Sequence, residues 1–349
     1  METVSYPERL AAELIALGVR PGATLIVHAS LRALRPPDRG AASVVAGVRG
    51  ALGPAGTLVV PAFTPENSDT SRAHLARVAG LTEAERARVR ADMPAFDPAG
   101  TPAPTMGRFA ETVRLTPGAR RSGHPQTSFA ALGPDAAHLT RDHRADCHLG
   151  EGSPLARLYG AGAHALLLGT GFGTFSAFHL AEYRVPEPPL RHYRCVVGGP
   201  GGRRWWEYED VALDDSDFVA LGAEFARSAG PVTVRTGRVG EAACTLVPVR
   251  DAVDFAVGRF TDGAYAAARR TRTGDTPPAR NTPFGTTPAD ATPPGAARAE
   301  DTGAGDTDSE NTGSGNTGPP EDTGARPLRC PAPPPPPRPG GPRGTFRGR

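Results

Sequence analysis

The sequence contains no lysine; all 39 of its basic side chains are arginine. No physical requirement would strip lysine from a whole surface, so the absence reads as coding bias. An excess of charge is missing too. Against 37 acidic residues the formal balance is +2, which leaves no electrostatic footprint for nucleic acid or an anionic membrane. No apolar run reaches the length of a bilayer span. The opening segment, METVSYPERLAAELIALG, lacks the basic region and unbroken apolar core of a signal peptide and instead suits an amphipathic helix. A cytoplasmic setting is expected. Cysteine is scarce: Cys147, Cys195, Cys244 and Cys330 show no CxxC or other ligand spacing, so neither a structural disulfide nor a metal site is expected.

Large apolar residues thin out abruptly near residue 265. Beyond it the chain is Pro, Gly, Thr and Asp, with a polyproline run at 333–337. Such a composition cannot bury enough surface to offset the entropy of ordering, so residues 266–349 are expected to be a disordered tail. Before the boundary, short apolar runs alternate with helical patterns, the signature of an α/β domain. Strands are expected at Thr24–His28, Thr57–Val60, Ala165–Leu168 and Cys195–Val197. Helices are expected at Glu8–Leu17, Ala42–Leu52, Thr82–Asp92, Pro134–Asp142, Ser176–Tyr183 and Asp215–Ser228, the last capped by Asp215 or Ser216. The Pro-interrupted stretch from Pro61 to Arg121 reads as excursions over a cleft.

The most informative segment is LLLGTGFGTFSAFHLAEYR, residues 166–184. A strand runs into a loop with Gly169, Gly171 and Gly173, which opens a helix capped by Thr174 or Ser176. His179 and Glu182 stand three residues apart on that helix and share a face. A carboxylate bonded to one imidazole nitrogen fixes the tautomer and makes the other nitrogen a better base. On spacing alone, an ordinary surface pair explains them as well. GTGFGT is not a dinucleotide fingerprint, because Thr174 replaces the third glycine and no ribose-binding acid follows at the required distance. RLYGAG (157–162) fits a common acetyltransferase pattern by chance, since it precedes a strand and not a helix.

VHASL (27–31) places His28 and Ser30 at the carboxyl end of a strand, where open α/β sheets bind ligands. RSGHPQTSFAALG (121–133), with Arg120 before it, gathers arginines, hydroxyls and His124 in a group that suits phosphate oxygens. His138, His143 and His148 recur every fifth residue, which would spread them around a helix, exposed and without a shared metal face. Cys147 beside His148 offers a thiol nucleophile, although an isolated cysteine usually packs.

Read in order, VHASLRAL, GPAGTLVVPAFT, FDPAGTPAPTMGRFAETVRLTPGARRSGHPQTSFAALG, LGEGSPLARLYG, LLLGTGFGTFSAFHLAEYR and RVGEAACTLVPVRDAVDFAV resemble the aminoglycoside 3-N-acetyltransferase family. The blocks span residues 5–262. The resemblance implies transfer of acetyl from acetyl-CoA to the 3-amino group of a 2-deoxystreptamine antibiotic, for resistance or self-protection. It implies His179 as general base, Glu182 as its orienting acid and the Ser176 hydroxyl beside the acyl oxygen. It also implies CoA contacts from Ser30, Leu31, Ser122, His124 and Ser128. The sequence departs from the family pattern at Ala29, Gly173 and Phe175; Gly173 stands where many relatives carry an acid, which bears on the acceptor amine.

An aminoglycoside amine needs a base to become nucleophilic, and histidine, with an ordinary pKa near ~6.5, can supply one. A polycationic acceptor calls for carboxylates, for which Glu66, Asp69, Glu151, Glu209 and Asp210 are the candidates. Together these readings set the expected fold as α/β: one large domain over 1–265 with a central mixed β-sheet flanked by helices, followed by the tail. Acetyl-CoA is the expected co-substrate, with no metal, no nucleic acid and no membrane partner; a homodimer stays open. Competing readings are the same chemistry on another amine of secondary metabolism, a thiol hydrolase using Cys147, and a non-catalytic ligand-binding protein.

Overall fold

A computed structural model describes residues 4–37, 40–199, 201–263, 265–267 and 269. The polyproline run, Cys330 and nearly all of the expected tail lie outside the described residues. The chain opens with α1 (Tyr6–Leu17), β1 (Thr24–Ala29), α2 (Leu31–Leu34), α3 (Ala41–Leu52) and β2 (Thr57–Pro61). The excursion that follows carries α4 (Arg72–Arg77), α5 (Glu83–Ala91) and α6 (Gly107–Leu115) and returns through β3 (Arg120–Arg121) and β4 (Phe129–Leu132). Next come α7 (Ala136–Thr140), α8 (Pro154–Gly160), β5 (His164–Leu168) and α9 (Phe178–Tyr183). A long hairpin, β6 (Leu190–Gly199) and β7 (Gly202–Val211), leads to α10 (Phe218–Thr233), β8 (Arg235–Val239), β9 (Ala242–Pro248) and α11 (Val249–Thr261).

Capping sets several boundaries. Ser5 and Glu8 form a reciprocal capping box at the start of α1, and Thr82 and Glu85 do the same for α5. Other expected caps are absent. Thr174 and Ser176 do not cap α9, whose N-cap is Ala177 with no side-chain bond, because a 3₁₀ turn at Phe172–Thr174 takes up the end of the glycine loop. Asp215 and Ser216 likewise give way to Asp217 as the N-cap residue of α10, again with no side-chain bond.

The central sheet has seven strands in the order β3-β4-β2-β1-β5-β9-β8. β1 pairs in parallel with β2 and β5, and the outer pairings are antiparallel, so the sheet is mixed. The three central strands are apolar on both faces, as a covered parallel sheet requires. Leu25, Val27, Leu58, Val60, Leu166 and Leu168 join one buried cluster with residues of α1, α3 and α6. Ile26, Val59, Ala165 and Leu167 alternate into the other, with Phe178, Phe218 and α11 residues. Cys195–Val197 is extended as expected, but it belongs to the separate β6-β7 hairpin. The outer strands β3, β8 and β9 come in addition to the expected ones, and β4 continues the RSGHPQTS loop as a buried strand.

Behind the central sheet lies a buried polar network that corrects two expectations. His143 and His148 are neither helical nor exposed: they are 7% and 2% exposed, respectively. Asp210, expected in an acceptor cleft, is 3% exposed. Its Oδ2 accepts from His148 N–H at 2.7 Å, His148 Nδ1–H at 2.8 Å and the Tyr183 hydroxyl at 2.6 Å. His148 O accepts from the Thr127 hydroxyl at 2.9 Å and from His143 Nε2–H at 2.9 Å. The His143 Nδ1 then accepts from the Ser122 hydroxyl at 2.9 Å. His124 stacks between these rings, with centroids 4.8 Å from His143 and 4.7 Å from His148, and its Nδ1 accepts from Gln126 and Thr127 N–H groups at 3.1 Å.

Because the Nδ1 atoms of His124 and His143 both accept hydrogen bonds, neither ring can be an imidazolium without breaking its contacts. Burial acts in the same direction. It drives His124 well below the ordinary histidine value, with the neighbouring His148 and His143 adding to the effect, and it pushes His143 down to about 3. Each depressed group contributes stability that is complete above ~6.5 and declines as the pH drops towards the folded value, since the unfolded chain then takes up protons the folded one resists. The thermal midpoint should therefore fall steadily below pH ~6.5, and NMR should find the His124 and His143 rings still neutral at pH ~5. Titration of either ring near ~6.5 in the folded protein would contradict this. Asp210→Ala, which strands His148 and Tyr183 in the interior, should cost about 3–5 kcal/mol of unfolding free energy in a denaturant titration.

Candidate active site

β1 feeds α3 and then β2 on one side, while β5 pairs on its other side, so the chain changes direction at β1. Open α/β sheets bind ligands at the carboxyl ends of strands at such a point. Here those ends are His28-Ala29-Ser30 and Leu168-Gly169-Thr170, joined by the Ser30 N–H donating to Leu168 O at 2.9 Å. Gly169 has φ +71°, and a Cβ there would lie 2.7 Å from the Ala33 Cβ, so only glycine lets the loop leave β5 beside α2.

The loop turns through Phe172–Thr174 into α9, which is placed by its aromatic residues. Phe175 and Phe178 meet edge to face at 4.6 Å, and Phe178 meets Phe218 at 5.3 Å. A Cβ on Gly222 would fall 1.9 Å from the Phe172 ring, so α10 approaches the turn as closely as it does only because residue 222 is glycine. On this scaffold His179 Nδ1 lies 2.7 Å from Glu182 Oε2, and its ring sits 4.7 Å from Phe218. Glu182 is 5% exposed. Its Oε1 accepts from the Asp214 N–H at 2.9 Å and from the Arg269 guanidinium. A buried carboxylate held this way accepts the proton on Nδ1, which leaves the lone pair on His179 Nε2.

His179 opens onto a cavity of 370 Å³, together with His28, Phe63, Thr170, Ser176 and Asp215. Desolvation pushes His28 down to about 4, and its Nε2 is buried without a partner among the described residues. It is a neutral imidazole facing the cavity. Burial raises the Asp215 carboxyl, but the hydrogen bond and charge of Arg72, with His179 nearby, more than offset this and hold it below the usual range. Arg72 Nη1 lies 2.6 Å from Asp215 Oδ1. The cavity thus carries two imidazoles, His28 and His179, and a carboxylate held below its usual range.

Of the residues singled out in the sequence, His179, Glu182 and Ser176 come together here. Ser30 accepts from Ala33 N–H at 3.3 Å and caps α2, which begins at Leu31 beside the cavity. A groove sharing Thr170 with the cavity continues past Arg32 and Arg35, and these two also line a recess with Leu31 and Arg108. Ser122, His124 and Ser128 are buried, and none of them lines the cavity at His179. Their polar atoms tie β4 to its surroundings: Ser122 Oγ accepts from Phe129 N–H at 2.9 Å and Ser128 Oγ donates to Ala62 O at 2.8 Å. Arg121 spends its guanidinium on the same carbonyl, at 2.7 Å, and on Thr101 O. In this loop the hydroxyls and the Arg121 guanidinium thus serve as internal struts.

The expected acceptor carboxylates also go elsewhere. Asp69 is paired with Arg194, Glu151 with Arg184 at 2.6 Å, and Glu209 lies 3.8 Å from His192 on the exposed hairpin. Glu66 is half-buried, with Oε2 enclosed and unpartnered among the described residues. None of these four, nor Asp210, lines the cavity; Asp215 does. It was read as a helix cap, and its short distance from a run of acids gave no sign of the cavity. Cys147 is wholly buried in the core, where a thiol nucleophile has no route to a substrate.

A family model described as aminoglycoside 3-N-acetyltransferase matches residues 26–261. Aminoglycoside N(3)-acetyltransferase III of Serratia marcescens is 38% identical over 266 residues, 72% of this chain and 95% of that protein. The crystal structure of YokD protein from Bacillus subtilis superposes with a TM-score of 0.68 at 32% identity, over 74% of this chain and 94% of that one. A structure described as AAC-IIIb binary with CoASH superposes at TM-score 0.61 and 30% identity, over 79% of this chain and 100% of that one. The chain belongs to the aminoglycoside 3-N-acetyltransferase family and is, by that membership, an acetyltransferase.

Proposed function

We propose that this acetyltransferase moves acetyl from acetyl-CoA to the 3-amino group of a 2-deoxystreptamine aminoglycoside, with His179 as general base. The observation that carries the reading is the His179–Glu182 pair, 2.7 Å apart, at the wall of the cavity where the strand order switches. The amine nitrogen attacks the thioester carbonyl carbon, an N–C bond forms, and the proton passes from the amine to His179 Nε2. Collapse breaks the C–S bond and the thiolate of CoA takes up a proton. Glu182 holds the tautomer and stabilises the imidazolium formed midway. The Ser176 hydroxyl, on the cavity wall, is placed to meet the charge that develops on the acyl oxygen.

The two substrates would occupy the cavity and the groove that shares Thr170 with it. CoA carries phosphates, and the groove past Arg32 and Arg35, with Arg108 beyond, supplies guanidinium forks that match them. Ser30 and Leu31 form the start of α2 between this groove and the cavity. Asp215, ionised in the cavity wall, is the carboxylate for a cationic acceptor. Gly173 leaves part of the same wall without the acid many relatives carry there, which favours a test on a panel of amines and not on one drug.

Thiol release from acetyl-CoA should require an amine from a panel of 3-amino aminoglycosides, and NMR should place the new acetyl on N3. Expression in a susceptible bacterium should then protect it. His179→Ala should reduce kcat by roughly 10²–10⁴-fold without unfolding the protein. Release with amines outside the panel alone would move the acceptor to another class, and an unchanged rate in His179→Ala would remove the base. Arg35→Ala should raise KM for acetyl-CoA by about tenfold with kcat retained, since a charge-assisted bond contributes about 1.5–3 kcal/mol. Asp215→Asn should instead raise KM for the amine.

A further inference from the structure

The carboxylate that orients His179 is itself held by a residue from beyond the matched family region. The chain is still helical at 265–267 and 269, past α11, and there Arg269 turns inward with its side chain 10% exposed. Its Nη2 donates to Glu182 Oε1 and, at 2.8 Å, to Asp214 O; its Nη1 meets Asp217 Oδ1 at 2.7 Å. Its guanidinium carbon lies 4.0 Å from the centre of the Phe260 ring. Tyr265 adds a hydroxyl bond to Asp217 Oδ2 at 3.0 Å.

These contacts reach both supports of the catalytic imidazole. Glu182 carries the hydrogen bond to Nδ1, and Phe218, immediately after Asp217, carries the ring contact at 4.7 Å. We infer that Arg269 is a positioning residue for the acetyl transfer: it neutralises and aims the buried Glu182 carboxylate and fixes the Asp217–Phe218 corner, so that the helical residues past α11 complete the active site. A carboxylate with so little water needs a cation or several donors to remain charged. Only a charged Glu182 can hold the Nδ1 proton and stabilise the imidazolium. A purely structural anchor would need only the contacts to Phe260 and Asp217.

The groups facing this pair come from every neighbouring element. Asp214, Asp215 and Asp217 approach from the segment before α10, Tyr193 from the hairpin, and Arg72 through Asp215. Arg269 is the cation bonded to Glu182 among the described residues. Taking it away raises the proton affinity of the His179–Glu182 pair as a whole, since no bonded cation then offsets its charge beside Asp214, Asp215 and Asp217, so the pair takes up its proton at higher pH.

The test compares full-length wild type, Arg269→Met and Arg269→Lys. In its kinetic arm it rests on the acyl transfer proposed above; its NMR arm does not. Arg269→Met should lower kcat about tenfold with KM for acetyl-CoA within about twofold, and should move the acid limb of kcat/KM to higher pH. The His179 ring signal should titrate at correspondingly higher pH. Arg269→Lys, which keeps the charge and loses the fork, should lie between the two and remain folded if the methionine variant is not. An unmoved His179 titration in a folded variant, or a kcat loss that merely follows the fall in thermal midpoint, would overturn the inference. Wild type that releases no thiol with any amine would instead defeat the functional reading, while the titration still decides Arg269.

Discussion

The proposed active site depends on holding one carboxylate inside the protein. Glu182 is 5% exposed, and desolvating an anion costs several kcal/mol unless its lone pairs are used. Both its oxygens are occupied, Oε2 by His179 Nδ1 and Oε1 by the Asp214 N–H and Arg269. The donors come from α9 itself, from the segment before α10 and from the last helical residues. Three separated parts of the chain must therefore be in place before the imidazole has a defined tautomer. A short helix of six residues could not impose that order alone.

The rest of the fold can be understood as the means of bringing those parts together. The switch at β1 opens a crevice at the strand ends, and the loop after β5 must cross it within a few residues. Gly169 permits the turn beside Ala33, and Gly222 lets α10 close on Phe172. Aromatic contacts among Phe172, Phe175, Phe178 and Phe218 then hold α9 at a fixed rotation. A second polar centre, built on Asp210, does comparable work deeper in the molecule. Its Tyr183 bond reaches the final residue of α9, next to Glu182, so the C-terminal end of the helix is held on two sides, by the Glu182 contacts and by Tyr183.

Local signals made the central part of this structure legible. The runs TLIVH, TLVV and ALLL are apolar on both faces and became the three adjacent parallel strands, while the i,i+3 spacing of His179 and Glu182 became a hydrogen bond. What escaped was set by tertiary context. Arg235–Val239 is mostly exposed and alternates weakly, so β8 exists because β9 is there to pair with it. His143 and His148 looked like solvent residues because a hydrogen-bond network, invisible in spacing, is what allows them inside. Ser122 and Ser128 show the opposite case: hydroxyls beside arginines suit phosphate, but they also suit orphan backbone groups, and here both are buried and bonded to the backbone. Arg269 fell beyond the compositional break at 265 because one inward-facing arginine does not alter a hydrophobicity pattern.

Net charge concealed the arrangement that matters most for two oppositely charged substrates. A balance of +2 says nothing about either one. Within the site, however, Arg32, Arg35 and Arg108 lie along the groove beyond Thr170, whereas Asp215 faces the cavity itself. Under the proposed reaction this separation has a mechanistic consequence. Fields of opposite sign guide each substrate to its own side, and His179 stands where the two meet. Its neutral state must survive between them. A cation drawn close would oppose the proton it has to accept, and an unpaired anion would bind that proton too soon. Pairing Asp215 with Arg72 and Glu182 with Arg269 moderates both effects, so the carboxylates that attract and orient are each balanced by an arginine on the far side from the imidazole.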